Sequence, residues 1–118
     1  MLWVIAWLKA FVLTELIEIP IVVALTRGAK IPFPRRAALA FFASLATHPA
    51  VWFIFPELNV SDGVRVALSE AWACVAEAVF YKLVFGEITF ARAIGVSVVA
   101  NSSSFSFGLV LRALTGWV

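Results

Sequence analysis

Polar and apolar positions in this chain fall into long blocks, not the short alternations of strands. Four apolar blocks stand out, at residues 2–25, 37–55, 66–85 and 93–114, separated by polar segments at 26–36, 56–65 and 86–92. As a helix rising about 1.5 Å per residue, the first block reaches about 36 Å, enough to cross a bilayer core with some tilt. Segment 26–36 reads TRGAKIPFPRR, and Pro32 and Pro34 are expected to bar a continuous helix through it. Segment 56–65 holds the turn formers Asn59, Ser61, Asp62 and Gly63. The pattern predicts an all-α integral membrane four-helix bundle, with one transmembrane domain over residues 1–118.

Composition narrows the solvent. Of 118 residues 64% are hydrophobic and 14% charged, against roughly a quarter charged in soluble domains, and the mean hydropathy is +1.04. A chain this short keeps much of its surface exposed, so that surface has to be apolar, which lipid accepts. A soluble domain and a disordered chain are excluded, and the single cysteine, Cys74, excludes a disulfide scaffold. The bilayer is the expected partner and nucleic acid is not, because the net charge is only +2 and four of the nine basic residues crowd one loop.

That crowding reads as orientation. Arg27, Lys30, Arg35 and Arg36 place segment 26–36 in the cytoplasm, and Lys82 and Arg92 place segment 86–92 beside it. Segment 56–65 then lies outside, as do both termini, giving a multi-pass protein of the bacterial inner (plasma) membrane. Trp3, Trp7, Trp52 and Trp117 fall toward the outer interface as an aromatic belt, with Lys9 and Arg112 near enough to snorkel. The first block lacks a basic n-region and a small-x-small cleavage site and carries Lys9, Glu15 and Glu18, so it reads as a retained span.

The two halves resemble each other. Glu18 is followed by Arg36-Ala37-Ala38 and then Ala46-Thr47-His48, and Glu77 by Arg92-Ala93-Ile94 and then Ala100-Asn101-Ser102. Thr14-Glu15 and Ser69-Glu70 open the two units, and Ile31-Pro32-Phe33-Pro34 looks like an insertion in the first. Two tandem helical hairpins of equal orientation imply a pseudo-two-fold axis along the membrane normal.

Chemistry concentrates at mid-span. Glu15, Glu18, Glu70 and Glu77 lie inside the apolar blocks, where a charge costs roughly 2.5–3.5 kcal/mol on insertion scales. Thr47, His48, Asn101, Ser102, Ser103 and Ser104 reach a similar depth from the other two blocks. Glu15, Glu18, Glu70, Glu77, His48 and Asn101 are therefore candidates for a proton or cation site, with Thr47, Ser102 and Ser104 in support. The competing explanation is packing: buried polar groups glue membrane helices together, though Ser or Asn does so more cheaply than Glu. The stripes Ala37, Ala40, Ser44, Thr47 and Ser97, Asn101, Ser104, Gly108 suit close helix approach. Pro20 and Pro49 either bend their helices or expose carbonyls to an ion, and bending is the simpler expectation.

Catalytic signatures do not assemble. Asp62 is the only aspartate, and Gly95-Val96-Ser97 lacks the following glycine of a nucleophile elbow. No Glu-x-x-His spacing supports a carboxylate-bridged metal centre, and none of the candidates is assigned to a metal. The chain is not expected to be an enzyme. The stretches Ala46-Thr47-His48-Pro49-Ala50-Val51-Trp52 and Ser69-Glu70 through Glu77-Ala78 resemble those of small four-span bacterial membrane proteins without an assigned activity. The resemblance implies the four-span fold and no site residues.

Three functions are compatible with this pattern. The first is a transporter or channel component with a midplane carboxylate site. The second is a non-catalytic accessory subunit of a larger membrane complex, suggested by the small share of chain outside the spans. The third is a metal- or haem-binding membrane protein centred on His48. A bundle this small has a limited interior, so a homo-oligomer or a larger membrane complex is expected.

Overall fold

A computed structural model describes residues 2–116, and in it the chain is all-helical. The elements are α1 (Leu2–Leu25), α2 (Phe33–Phe53), a single 3-10 turn (Phe55–Glu57), α3 (Asp62–Val84) and α4 (Phe90–Thr115). The first helix matches the expected span end for end. The other three begin three or four residues earlier than residues 37, 66 and 93, and each early start has a local cause.

Pro34 does not stop α2 but sits in its first turn, where a missing N–H costs nothing and the fixed φ suits a helix. Ser61 caps α3 by accepting from the Val64 N–H at 3.4 Å, and Thr89 caps α4 by accepting from the Arg92 N–H at 3.0 Å. Arg65 and Asp62, read as turn residues, thus lie in the first turn of α3, joined at 2.7 Å. Gly116 closes α4 in the left-handed region at φ 65°, which glycine adopts without strain. Pro20 and Pro49 interrupt neither helix.

The helices run up, down, up, down around a square. Each packs on its two sequence or spatial neighbours: α1 on α2 and α4, α3 on α2 and α4. Across both diagonals no Cα atoms approach within 8 Å among the described residues. The two ends of the bundle fill the resulting centre differently.

The end carrying the basic loops is solid. Val22, Ala40, Ala43, Tyr81, Phe85, Ala93, Val96 and Ala100 form its buried core. Small residues of α2 and α4 let the helices close there, so the alanine and serine stripes serve packing within the chain. The basic residues also do structural work at this end. Arg36 donates to the carbonyls of Val23 and Ile31, and Arg92 donates to that of Leu25 at 3.1 Å. The Val23 and Leu25 carbonyls, in the last turn of α1, lack helical partners, and a cation there also complements the negative end of the helix dipole. Lys82 closes the α3–α4 turn through the carbonyls of Gly86 and Ile88.

The other end is aromatic. Trp3 packs on Trp52 with ring centroids 5.5 Å apart, Trp7 on Phe53 at 5.6 Å, and Phe55 on Trp72 at 6.4 Å. Trp3, Trp7 and Trp52 gather as expected and Trp72 joins them, while Trp117 lies outside the described residues. Replacing Phe85, wholly buried in the solid half, with alanine should cost about 3–5 kcal/mol. Phe107→Ala, on the exposed face of α4, should cost less than about 0.5 kcal/mol. Denaturant unfolding in detergent micelles, followed by helix content, compares the two.

Candidate functional site

Two long acidic side chains bridge the diagonal that the backbones leave open. Glu18 of α1 and Glu77 of α3 are 2% and 1% exposed, and their carboxyl groups face each other within hydrogen-bonding reach. Glu18 is held from both flanking helices, and Glu77 from α2 and from its own helix. Glu18 accepts from Ser44 of α2 at 3.3 Å and from Ser104 of α4 at 2.6 Å. Glu77 accepts from Thr47 of α2 at 3.2 Å and from Tyr81, one turn along α3, at 3.3 Å. Asn101 of α4 stands beside Glu77 and donates to the Ser97 carbonyl at 2.9 Å.

This pair forms the floor of a cavity of about 400 Å³. Glu70, half-buried, lines the same cavity. It lies two helical turns, about 10 Å, nearer the mouth than Glu77. Trp3, Trp52 and Phe55 frame the mouth together with Arg65 and Arg112. Arg65 is engaged by Asp62 and by the carbonyls of Leu58 and Val60. Below the pair, Val22, Tyr81, Phe85 and Val96 close the bundle. The cavity is therefore blind, open at the aromatic end and sealed at the basic end.

Two facing carboxyl groups have only acceptors between them unless something is added. They either share a proton or hold a cation. Among the described residues no Lys or Arg forms an ion pair with Glu18 or Glu77, so the balancing positive charge is not built into this floor.

Three other residues expected at the site, Glu15, Ser102 and His48, are placed differently, as is Ser103, expected only at the same depth. Glu15 is 7% exposed but does not line the central cavity. Its side chain borders a separate apolar pocket between α1 and α2, while both carboxyl oxygens are covered, with Ser44 of α2 the neighbouring hydroxyl. Ser102 is exposed on the outer face of α4. Inward-facing Asn101 and Ser104 enclose a face that Ser102, about 100° round the helix from Asn101, cannot share. Ser103, half-buried, makes no bond to either glutamate. His48 lines the cavity wall but hydrogen-bonds to no glutamate. Trp7 Nε1, a donor only, binds its Nδ1 at 3.1 Å, so the proton sits on Nε2, facing Thr14 Oγ1 at 3.3 Å.

Three partners carry bonds the sequence did not foretell. Tyr81 is the only tyrosine and stands four residues after Glu77, on the same helix face, so spacing alone could have found it. Ser44 was visible only as a small packing residue. The Trp7–His48 bond joins positions 41 residues apart and left no local signal. Among the described residues no group of three or more His, Cys, Asp or Glu is placed to hold a metal ion.

Comparison of the chain with family profiles, with curated proteins and with solved structures finds no match.

Ser104→Ala removes the shortest bond to Glu18 and leaves a buried acceptor short of a donor, which should cost about 1–3 kcal/mol. Ser102→Ala, two positions earlier and facing out, should change stability by less than about 0.5 kcal/mol. The same micelle unfolding assay separates them.

Proposed function

We propose that this chain is a four-span integral membrane protein that carries protons or small cations, with Glu18 and Glu77 as the binding pair. The observation that carries the reading is the pair itself: two carboxyl groups meeting at the base of a blind cavity with no resident counter-charge.

The membrane part of the reading draws on the distribution of side chains. Large apolar residues are exposed around the bundle, Leu83 at 76% and Leu16 at 69% among them, while Glu15, Glu18 and Glu77 are buried. By length and apolarity alone, two segments could cross a membrane, Phe33–Glu57 and Phe90–Thr115. Helices α1 and α3 fall short because of charge. Every 18-residue stretch of α1 contains Lys9, Glu15 and Glu18, and every such stretch of α3 contains Glu70, Glu77 and at least one further charge. The fold hides most of these carboxylates from the surrounding solvent, so a hydropathy sum overstates their cost. All four helices are long enough to span.

By the positive-inside rule, the basic loops favour an orientation with the solid end in the cytoplasm and the cavity mouth outside. The square arrangement sets α1 opposite α3 and α2 opposite α4, which suits a pseudo-two-fold along the bundle axis. Such an axis would bring equivalent residues together at the centre, where Glu18 and Glu77 meet. A cavity closed at one end favours a carrier, whose site is reached from one side at a time, over an open channel.

A second reading, an accessory subunit of a larger membrane complex, is favoured by a different observation: large apolar side chains such as Leu16 and Leu83 stay exposed around the bundle.

The test is flux in proteoliposomes. Glu18→Gln and Glu77→Gln should each fold, since an amide still accepts from Ser104 or Thr47, yet abolish proton or cation uptake. Wild-type flux in both variants, with unfolding midpoints matching the parent, would remove the carrier reading and leave the carboxyls as packing groups.

A further inference from the structure

The cavity above the Glu18–Glu77 pair is larger than a proton or a bare ion requires. Its volume of about 400 Å³ falls within the roughly 300–1,000 Å³ of sites that hold small organic molecules. Leu13, Val51, Trp52, Val66 and Ala73 give it a largely apolar wall. Such a wall offers an ion nothing, but it suits a hydrocarbon side chain.

Two charged side chains of opposite sign interrupt that wall, and binding at the pair uses neither. Glu70, half-buried on α3, has no hydrogen-bond or ion-pair partner among the described residues. The Arg112 guanidinium group, on α4, has none there either. Arg65 is not equivalent, because Asp62 and the carbonyls of Leu58 and Val60 already hold it.

Helix direction turns the two unpaired groups toward one another. The mouth lies where α3 starts and α4 ends; Arg112 is in the last turn of α4, and Glu70 is a little over two turns into α3. Arg112 is therefore the outer of the two. A helical side chain leans toward the N-terminus of its own helix, so Arg112 leans inward and Glu70 outward. Both line the one cavity, yet they form no ion pair. A lone cation entering there is opposed by Arg112, and a lone anion by Glu70 and the pair beneath it. A molecule with its anionic end outward and its cationic end inward meets both charges favourably.

We propose that the cavity binds an apolar α-amino acid, its carboxylate on Arg112, its ammonium on Glu70 and its side chain against the apolar wall. The inference rests on the carrier reading for its role, as an organic cargo beside the proton on Glu18 and Glu77, but not for its chemistry.

Ligand titration of the purified full chain in nanodiscs tests it, read by calorimetry and by the fluorescence of Trp3 and Trp52 at the mouth. The probes are leucine and phenylalanine, each compared with its decarboxylated amine (3-methylbutylamine, 2-phenylethylamine) and its deaminated acid (4-methylpentanoate, 3-phenylpropanoate). At least one of the amino acids should bind saturably, with its amine and its acid each about tenfold or more weaker. Arg112→Gln should weaken that amino acid by about tenfold and leave the amine unchanged. Glu70→Gln should weaken the amino acid and the amine but not the acid, whereas a merely structural effect would weaken all three alike. The comparison of analogues on the unsubstituted protein stands even if a variant fails to fold. No saturable binding of either amino acid, an amine or acid that binds as tightly as its parent, or folded variants that bind like the unsubstituted protein would overturn the proposal. Proton uptake in proteoliposomes separates this from failure of the carrier reading. Amino-acid binding without proton uptake ends the carrier and keeps the site, whereas proton uptake without amino-acid binding ends only the site.

Discussion

Everything in this bundle is arranged around two carboxyl groups that must be supplied with donors far from water. A lone glutamate inside an apolar bundle is expensive. Glu18 and Glu77 are tolerable because α2 and α4 both deliver hydroxyls to them, Ser44 and Ser104 to one and Thr47 to the other. The helices that bring acids stand on one diagonal, and the helices that bring donors stand on the other. Neither diagonal pair touches through its backbone, so the centre of this half is held by side-chain chemistry instead of interdigitated apolar packing. The solid half shows the alternative, where alanines and Phe85 fill the same cross-section. One fold therefore carries a rigid base and a polar, hollow top.

That division explains which parts could be read from the chain. Block length and polarity were enough to place four helices, since an apolar run of about twenty residues bounded by Pro, Gly and charges has few other uses. Boundaries slipped where a local rule outweighed the block: a proline tolerated at a helix start, a serine and a threonine acting as caps. The site was partly legible because Glu18, Glu77, Thr47, Asn101 and Ser104 share depth. Depth is a one-dimensional quantity, however, and a site needs azimuth as well. Glu15 and Ser102 have the right depth and the wrong angle. Only about 60° of helix rotation separates Glu15 from Glu18, and that turn takes Glu15 out of the cavity lining and into the seam between α1 and α2. Long-range bonds such as Trp7 to His48 depend on tertiary approach and leave no trace in spacing.

The basic residues carry two kinds of information at once. As a charge pattern, Arg27, Lys30, Arg35, Arg36, Lys82 and Arg92 would, in the proposed membrane reading, mark the cytoplasmic end. As side chains, Arg36 and Arg92 satisfy the carbonyls that close α1, and Lys82 holds the turn into α4. A positive loop would orient the chain with any arrangement of these residues, but only guanidinium groups at these positions cap that helix end. Sequence alone cannot divide the two roles, because both place cations in the same short loops.

Selectivity in such a site follows from what is missing. Arg65 and Arg112 stand at the mouth while the carboxyls lie on the floor, so the cavity's charge reverses sign along its depth. Arg65 is already committed to Asp62 and to two carbonyls, which fixes its position instead of leaving it to swing down toward Glu70. A cation moving inward must pass positive charge before meeting three acids. A proton can avoid that barrier by passing through water or hydroxyls, whereas a bare metal ion experiences it in full and must also shed its hydration. If the pair is a transport site as proposed, the proton is on electrostatic grounds the cargo best matched to this geometry.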